Sequence, residues 1–215
     1  MPVVRRVGEA AAVSPTDRDF AGGTPSASEG ADGMAAPGSM APAPRANGAG
    51  AGPLRFVVDT REQKPWAPPK HREMERRKLD FGDYSLAGYE SRVCVERKSL
   101  DDYVGSLFSD WKRFAARLAE MSHLELACVV VEATEEDIRK RKYVPDARST
   151  RRVGRSAAWA NRLDKLEPAR VLASTAGVYA EFKIPVFLAG APTRAAAFAF
   201  AVLTHWYERE KAKKP

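Results

Sequence analysis

Cysteine and histidine are scarce in this chain, with two and three copies in 215 residues. Cys94 and Cys128 each sit inside an apolar, strand-like run, RVCVE and LACVVVE. A lone thiol in such a run behaves as a small buried hydrophobe, so both read as reduced core residues. A zinc centre needs more ligands than this, and His71, His123 and His205 are scattered. A Cys–His nucleophilic pair finds no support in the spacing. Long apolar runs are also missing. None approaches the roughly 18 residues of a membrane helix, so no membrane partner is expected. The first residues, MPVVRRVGEAAAVSP, lack a signal-peptide core, because Arg5, Arg6 and Glu9 interrupt their short apolar stretches. A cytoplasmic location is the expectation.

Aromatic residues are almost absent from the first 52 positions, where Phe20 stands alone among Ala, Pro, Ser and nine of the 15 glycines. Such a segment buries too little apolar surface to offset its ordering entropy. Residues 1–52 therefore read as a disordered Ala/Gly/Pro-rich tail, 53–211 as the folded domain, and 212–215 as a short basic tail. The tail's Ala- and Arg-rich composition suits a bacterial or phage genome of high GC content; in a eukaryote the location would be nuclear. Net charge is +7, and residues 1–52 carry four basic and five acidic groups. The whole positive excess thus lies in the folded part. A polyanion, most often nucleic acid, is the partner such a balance favours; a soluble protein that is merely basic is the alternative.

The pattern from Leu54 onward is that of an α/β domain. RFVVD (55–59) reads as a strand ending in an acid. RRKLDF (76–81) and DYSLA (83–87) read as strand material on either side of Gly82. RVCVERK (92–98) is a further strand. Ser99, with Asp102 three residues on, is placed to cap a helix that continues, with a break near Ser109, through DWKRFAARLAEM. There Trp111, Phe114, Ala115, Leu118 and Met121 share one face. LELACVVVEA (124–133) is the most apolar strand and is expected at the centre of the sheet. Thr134 and Asp137 form a second capping pair. One helix is expected from about Ser156 to Glu181, a strand over 183–190, and a last helix opened by Pro192. That helix, AAAFAFAVLTHWY, is apolar on more than one face, which suits either a packing helix or a subunit interface.

The chemistry concentrates on the strand 92–98. Alternation sends Cys94, Glu96 and Lys98 to one face and Val93, Val95 and Arg97 to the other. A carboxylate and an ammonium two residues apart at a strand end place a metal ligand beside a cation. Asp83 lies 13 residues earlier, close enough in sequence for a hairpin to bring it to Glu96. Asp59, ending the first strand, offers a third carboxylate. A cluster of this kind repels itself unless a divalent cation sits in it. Magnesium takes carboxylates, a carbonyl, waters and substrate phosphate. Phosphodiester cleavage needs an activated water and charge stabilisation, which such ions supply.

The segments FVVDTREQ (56–63), LDFGDYSL (79–86) and VCVERKSLDDYVGSL (93–107) resemble the nuclease domain of the XPF-type structure-specific endonucleases, the domain named for excision-repair cross-complementing group four. The resemblance runs through Asp59, Arg61 and Glu62; Gly82 and Asp83; and Glu96, Arg97, Lys98 and Asp102. Three separate segments agree, within a span of about 54–210. It implies a restriction-endonuclease-like fold, a mixed central sheet flanked by helices. It also implies an Mg²⁺- or Mn²⁺-dependent endodeoxyribonuclease of DNA repair or recombination, cutting DNA at branches or single-strand/double-strand junctions. By motif position Asp83 and Glu96 bind metal with the backbone carbonyl of Arg97, Asp59 is a further ligand, direct or through water, and Lys98 handles the attacking water. The Arg97 side chain points to the other face, toward Glu62 or Asp102. Arg61, Glu62 and Asp102 are supports, with a structural ion-pair network as the alternative.

Relatives of this type often carry a tandem helix-hairpin-helix module that grips DNA, and no such module is expected here. The basic stretch 139–156, with Arg139, Lys140, Arg141, Lys142, Arg148, Arg151, Arg152 and Arg155, is the candidate substitute. Tyr143 within it and Trp159 beyond it offer rings for unpaired bases; a solvated loop and a core tryptophan are the alternatives, the latter preferred for Trp159. Dimerisation through the C-terminal helices, with itself or another chain, accompanies the resemblance. A catalytically inactive DNA-binding or dimerisation subunit is the competing function.

Overall fold

The computed structural model describes residues 53–144 and 157–213. The tail assigned to 1–52 lies outside the described residues, as do Arg148, Arg151, Arg152 and Arg155.

Six strands form one mixed sheet in the order β2-β1-β3-β4-β5-β6. They are β1 (Arg55–Asp59), β2 (Glu73–Arg77), β3 (Tyr84–Leu86), β4 (Val93–Lys98), β5 (Leu126–Val131) and β6 (Val186–Leu188). β3 runs antiparallel to both β1 and β4, while β1–β2, β4–β5 and β5–β6 are parallel pairs. The C-terminal ends of β1, β4 and β5 therefore share one edge of the sheet with the start of β3. Asp59, Asp83, Glu96 and Lys98 all belong to that edge.

Alternation divides the strand residues between two cores. Cys94, Val129 and Val131 pack under α1 (Leu100–Phe108), α2 (Trp111–Met121), α3 (Glu135–Arg139), α4 (Ala157–Asp164) and α5 (Pro168–Phe182). Phe56, Val58, Tyr84, Val95 and Val130 pack on the opposite face with Trp66 and α6 (Pro192–Ala212). Phe200 of α6 anchors that second core, with ring centroids 4.7 Å from Phe56 and 5.8 Å from Tyr84. The mixed apolar character of α6 is thus largely a packing face: Ala195, Ala199, Phe200, Leu203 and Tyr207 are buried, while Phe198 stays exposed against Phe187. Both cysteines are free and buried, one in each core.

Local signals explain most element ends. Ser99 Oγ accepts from the Asp102 N–H and opens α1, and α1 stops at Phe108 before α2 begins at Trp111. Thr134 and Asp137 close a reciprocal capping box on α3. Three expectations need correction. The strand expected over 76–81 lies earlier, at Glu73–Arg77, because Leu79 turns inward to bond Asp59 and Arg61. The helix expected from Ser156 to Glu181 is two, since Pro168 has no N–H to continue the first and instead sits in the opening turn of α5. β5 is internal but off-centre, with β3 and β4 in the middle of the sheet. Among the described residues no helix is long and apolar enough to cross a membrane.

Candidate active site

Gly82 positions the first carboxylate. Its φ of +64° is the left-handed conformation that L side chains rarely adopt. A Cβ there would stand 2.9 Å from Cys94 Cβ and 2.9 Å from the Val95 carbonyl oxygen. Only glycine lets the chain press this closely against β4. The next residue is then held by main-chain bonds on both sides: the Asp83 N–H donates to the Val95 carbonyl (2.9 Å), and the Asp83 carbonyl accepts from the Asp59 N–H (2.8 Å). Gly82→Ala is expected to cost about 2–4 kcal/mol, from left-handed strain plus overpacking. It should also displace Asp83, and a urea melt read beside a cleavage assay checks both effects.

The Asp83 side chain faces β4. Its Oδ2 accepts the Arg97 N–H at 2.8 Å, which sets the carboxylate beside Glu96. Burial, followed by the charge of Glu96, pushes the Asp83 carboxyl up to about 7. Glu96 is itself buried, at 8% exposure, and its Oε2 has no hydrogen-bond partner. The nearby cations stand off: Arg117 Nε is 3.8 Å from that oxygen, and Lys98 Nζ is 3.4 Å from Oε1. Lys98 also lies 5.3 Å over the Phe114 ring. Two carboxylates side by side, Asp83 half-buried and Glu96 buried with an unsatisfied oxygen, are the hard-oxygen donor set that suits a divalent cation.

Asp59 is differently placed. It is 1% exposed and receives four hydrogen bonds: from the Arg61 N–H (2.7 Å), Arg61 Nε (2.7 Å), Arg61 Nη2 (2.9 Å) and the Leu79 N–H (2.8 Å). The Arg61 guanidinium beside it holds its carboxyl down at about 2. Among the described residues no group of three or more His, Cys, Asp or Glu is gathered closely enough to hold an ion. Asp59→Asn is expected to cost about 2–3 kcal/mol at neutral pH, because buried donors lose a charged acceptor. The depressed pKa gives stability that is present above about 4 and lost as pH falls toward 2. The gap between variant and wild type should therefore narrow on acidification from pH 4 to pH 2, as thermal melts across that range would show.

Arg97 points to the opposite face from Glu96 and Lys98, as alternation requires. Its Nε donates to Glu132 Oε1 (2.9 Å), its Nη1 stands 3.3 Å from Glu62 Oε1, and its guanidinium lies 5.0 Å over the Trp66 ring. Trp66 Nε1 donates to the same Glu132 oxygen at 2.7 Å. The partner is therefore Glu62 together with Glu132. Asp102 instead accepts from Ser99 Oγ at 3.0 Å.

Arg117 and Trp66 were not singled out from the sequence. Arg117 lies three residues after Phe114, at the margin of the buried stripe of α2, and this helical spacing is the signal that could have found it. Trp66 sits in a Pro-rich loop whose path no local pattern reveals.

Where it is described, the basic stretch is laced with ion pairs on the surface. Arg139 pairs with Glu135, Lys140 with Glu136, Lys142 with Asp137, and Arg141 with Asp164. Tyr143 is fully buried and its hydroxyl donates to the Leu166 carbonyl, so it offers no ring to a base. Trp159 is a core residue, 7% exposed.

A family model described as the ERCC4 domain matches residues 58–198, a span that takes in Asp59, Asp83, Glu96 and Lys98. The chain belongs to the ERCC4 domain family. This is a family of structure-specific DNA nucleases with a restriction-endonuclease-like fold, and the ERCC4 domain here has the mixed, helix-flanked sheet of that fold. Among solved structures, XPF from Aeropyrum pernix is similar at 20% identity and a TM-score of 0.48, over 71% of this chain and 61% of that one. XPF from the same organism in complex with DNA is similar at 20% identity and a TM-score of 0.47, over 72% and 66% of the two chains. The chain thus spans less than two thirds of the first of these XPF chains. No curated protein matches it.

Proposed function

We propose that this ERCC4 domain is a divalent-metal-dependent endonuclease that hydrolyses DNA at branches or single-strand/double-strand junctions, in repair or recombination. The observation that carries this reading is the paired carboxylates Asp83 and Glu96. One is pushed up by burial and by the other's charge, and the other keeps a buried oxygen without a hydrogen-bond partner.

Mg²⁺ is commonly held by one or two carboxylates completed by water and substrate phosphate, so two suffice. Asp83 and Glu96 would hold the ion, with the main-chain carbonyl of Arg97 as a further donor. Asp59 contributes no direct bond, its oxygens being engaged by Arg61 and Leu79. A bound Mg²⁺ or Mn²⁺ neutralises phosphate charge and lowers the pKa of a water. Lys98 orients the attacking water and offsets charge at the scissile phosphate. Arg117 stabilises the same phosphate from α2. Arg97, Glu62, Glu132 and Trp66 brace the end of β4 from behind.

The test is cleavage of labelled flap, fork, single-stranded and blunt duplex DNA with Mg²⁺ or Mn²⁺. Wild type should cut a junction in preference to blunt duplex, and chelation should stop it. Binding of every substrate with no cutting under any metal would leave the inactive-subunit reading in its place. Association through α6 draws on the exposed Phe198; Phe198→Glu should shift any dimer to monomer in analytical ultracentrifugation.

A further inference from the structure

A cleft of about 500 Å³ opens directly beside Lys98 and extends beyond the motif residues to Ser109, Arg113 and Arg162. It runs along one face of α1, from Asp102 past Ser106 to Ser109, and α4 forms its far wall with Trp159 and Arg162. From Asp102 to Ser109 that face is about 10 Å long. Arg113 closes the distal end.

We infer that this cleft is the track for the single-stranded arm of the DNA substrate, seating the nucleotides next to the scissile phosphate. The inference rests on the nuclease reading of the site, and its geometry is independent of the metal. Continuity is the first argument. Lys98 belongs both to the catalytic edge and to the mouth of the cleft, so a strand whose phosphate meets Lys98 enters the cleft with its next unit. Size is the second. The cleft has the volume of a nucleotide-scale pocket, too small for a duplex. Chemistry is the third. Lys98, Arg113 and Arg162 set cations along the groove, and contacts from such cations to the phosphates hold an unpaired strand without sequence preference.

Three cations line the cleft, and they are not equivalent. Lys98 leans on Glu96, and Arg113 pairs with Asp110 at 2.8 Å. Arg162 is exposed, and no acidic partner is described for it. It is therefore the cation that gives up least to meet a phosphate. Ser109, also exposed, lies at the rim where a bulky acid would obstruct and repel the strand.

The experiment measures binding apart from cleavage. Full-length protein is titrated against a fluorescent single-stranded oligonucleotide and against a blunt duplex, in Ca²⁺, with salt varied. Arg162→Glu should weaken single-strand binding by about 10-fold at 0.1 M salt and lower the salt slope by about one. Ser109→Glu should weaken it by about 3-fold, and both should change duplex affinity by less than about 2-fold. Arg209→Glu, an exposed reversal on α6 away from the cleft, controls for net charge and should change either affinity by less than about 2-fold. All three residues are exposed, so far-ultraviolet circular dichroism should be unchanged. Unaltered single-strand affinity in Arg162→Glu and Ser109→Glu would overturn the inference, as would an equal loss in Arg209→Glu or on duplex. A wild type that binds but never cuts would refute the nuclease and leave the binding result for the cleft intact.

Discussion

Asp83→Asn is expected to abolish cleavage and, above neutral pH, to make the metal-free protein more stable. The Asp83 carboxyl sits at about 7 instead of 3.8, held up first by burial and then by the charge of Glu96. A folded-state pKa raised in this way means that folding is favoured with the proton on. The stability linked to Asp83 is therefore full below about pH 4 and is lost as pH rises to about 7. At pH 8 the protein carries the cost of two adjacent carboxylates, one half-buried and one buried. Asn keeps the acceptor that the Arg97 N–H requires and removes the charge. After discounting for partial exposure and screening, the gain should be about 1–2 kcal/mol at pH 8 and near zero at pH 4. Cleavage should fall by at least about 10³-fold, because several kcal/mol of charge stabilisation leaves with the ion. Saturating Mg²⁺ should reverse the order of stability, at about 2.7 kcal/mol for a hundredfold excess over Kd. Thermal melts at pH 4 and pH 8, with and without Mg²⁺, read all of these. Equal melting temperatures for the two proteins at pH 8 without metal would contradict the strained carboxylate pair.

Arg97→Met should have the opposite character. It removes the guanidinium shared by Glu132 and Glu62 and leaves those carboxylates, 9% and 17% exposed, facing Trp66 without a cation. Removing one partner of a largely buried network typically costs about 3 kcal/mol. The cost is expected on a face that Glu96 and Lys98 do not share. At 15 °C, where the variant is still folded, kcat should fall by no more than about 10-fold, as expected of a supporting contact. Lys98→Met should differ in activity, with cleavage down by more than about 10²-fold, as for loss of a charge-stabilising group. Adding Glu132→Gln to Arg97→Met should recover part of the lost stability, since the uncompensated charge goes with it. If Arg97→Met matched Lys98→Met in its loss of cleavage, Arg97 would belong to the reacting side of the site and the brace would be refuted.

The contrast between these two neighbours is legible in the sequence. Residues 96–98 alternate on a strand whose start is apolar, so Glu96 and Lys98 had to share a face that Arg97 could not. Gly82 was legible as a motif position, and its geometric reason emerged only from the close approach to Cys94 and Val95. Caps were equally local: Ser99 with Asp102 and Thr134 with Asp137 are short-range patterns and formed as read. What failed was long-range or two-valued. Leu79 looks like strand material, yet a buried Asp59 twenty residues away captures its N–H. Pro168 in a helical pattern marks either a kink or a new start, and composition alone did not distinguish them. For the cations at 139–142 the pairs with Glu135 and Glu136 follow helical spacing, whereas that of Arg141 with Asp164 depends on the tertiary fold. Tyr143 looked available because nothing local says that its hydroxyl reaches Leu166. Trp66 and Arg117 come to the site from a loop and from a helix margin, positions that only the tertiary fold defines.

The most direct test is Mn²⁺ binding, followed by electron paramagnetic resonance at pH 8, for wild type, Asp83→Asn and Glu96→Gln, each with and without a junction oligonucleotide. Wild type should take up Mn²⁺, more tightly with DNA present, and both variants should lose it while staying folded. Undiminished Mn²⁺ uptake by either variant, or none by wild type even with DNA bound, would contradict a cation site built on Asp83 and Glu96.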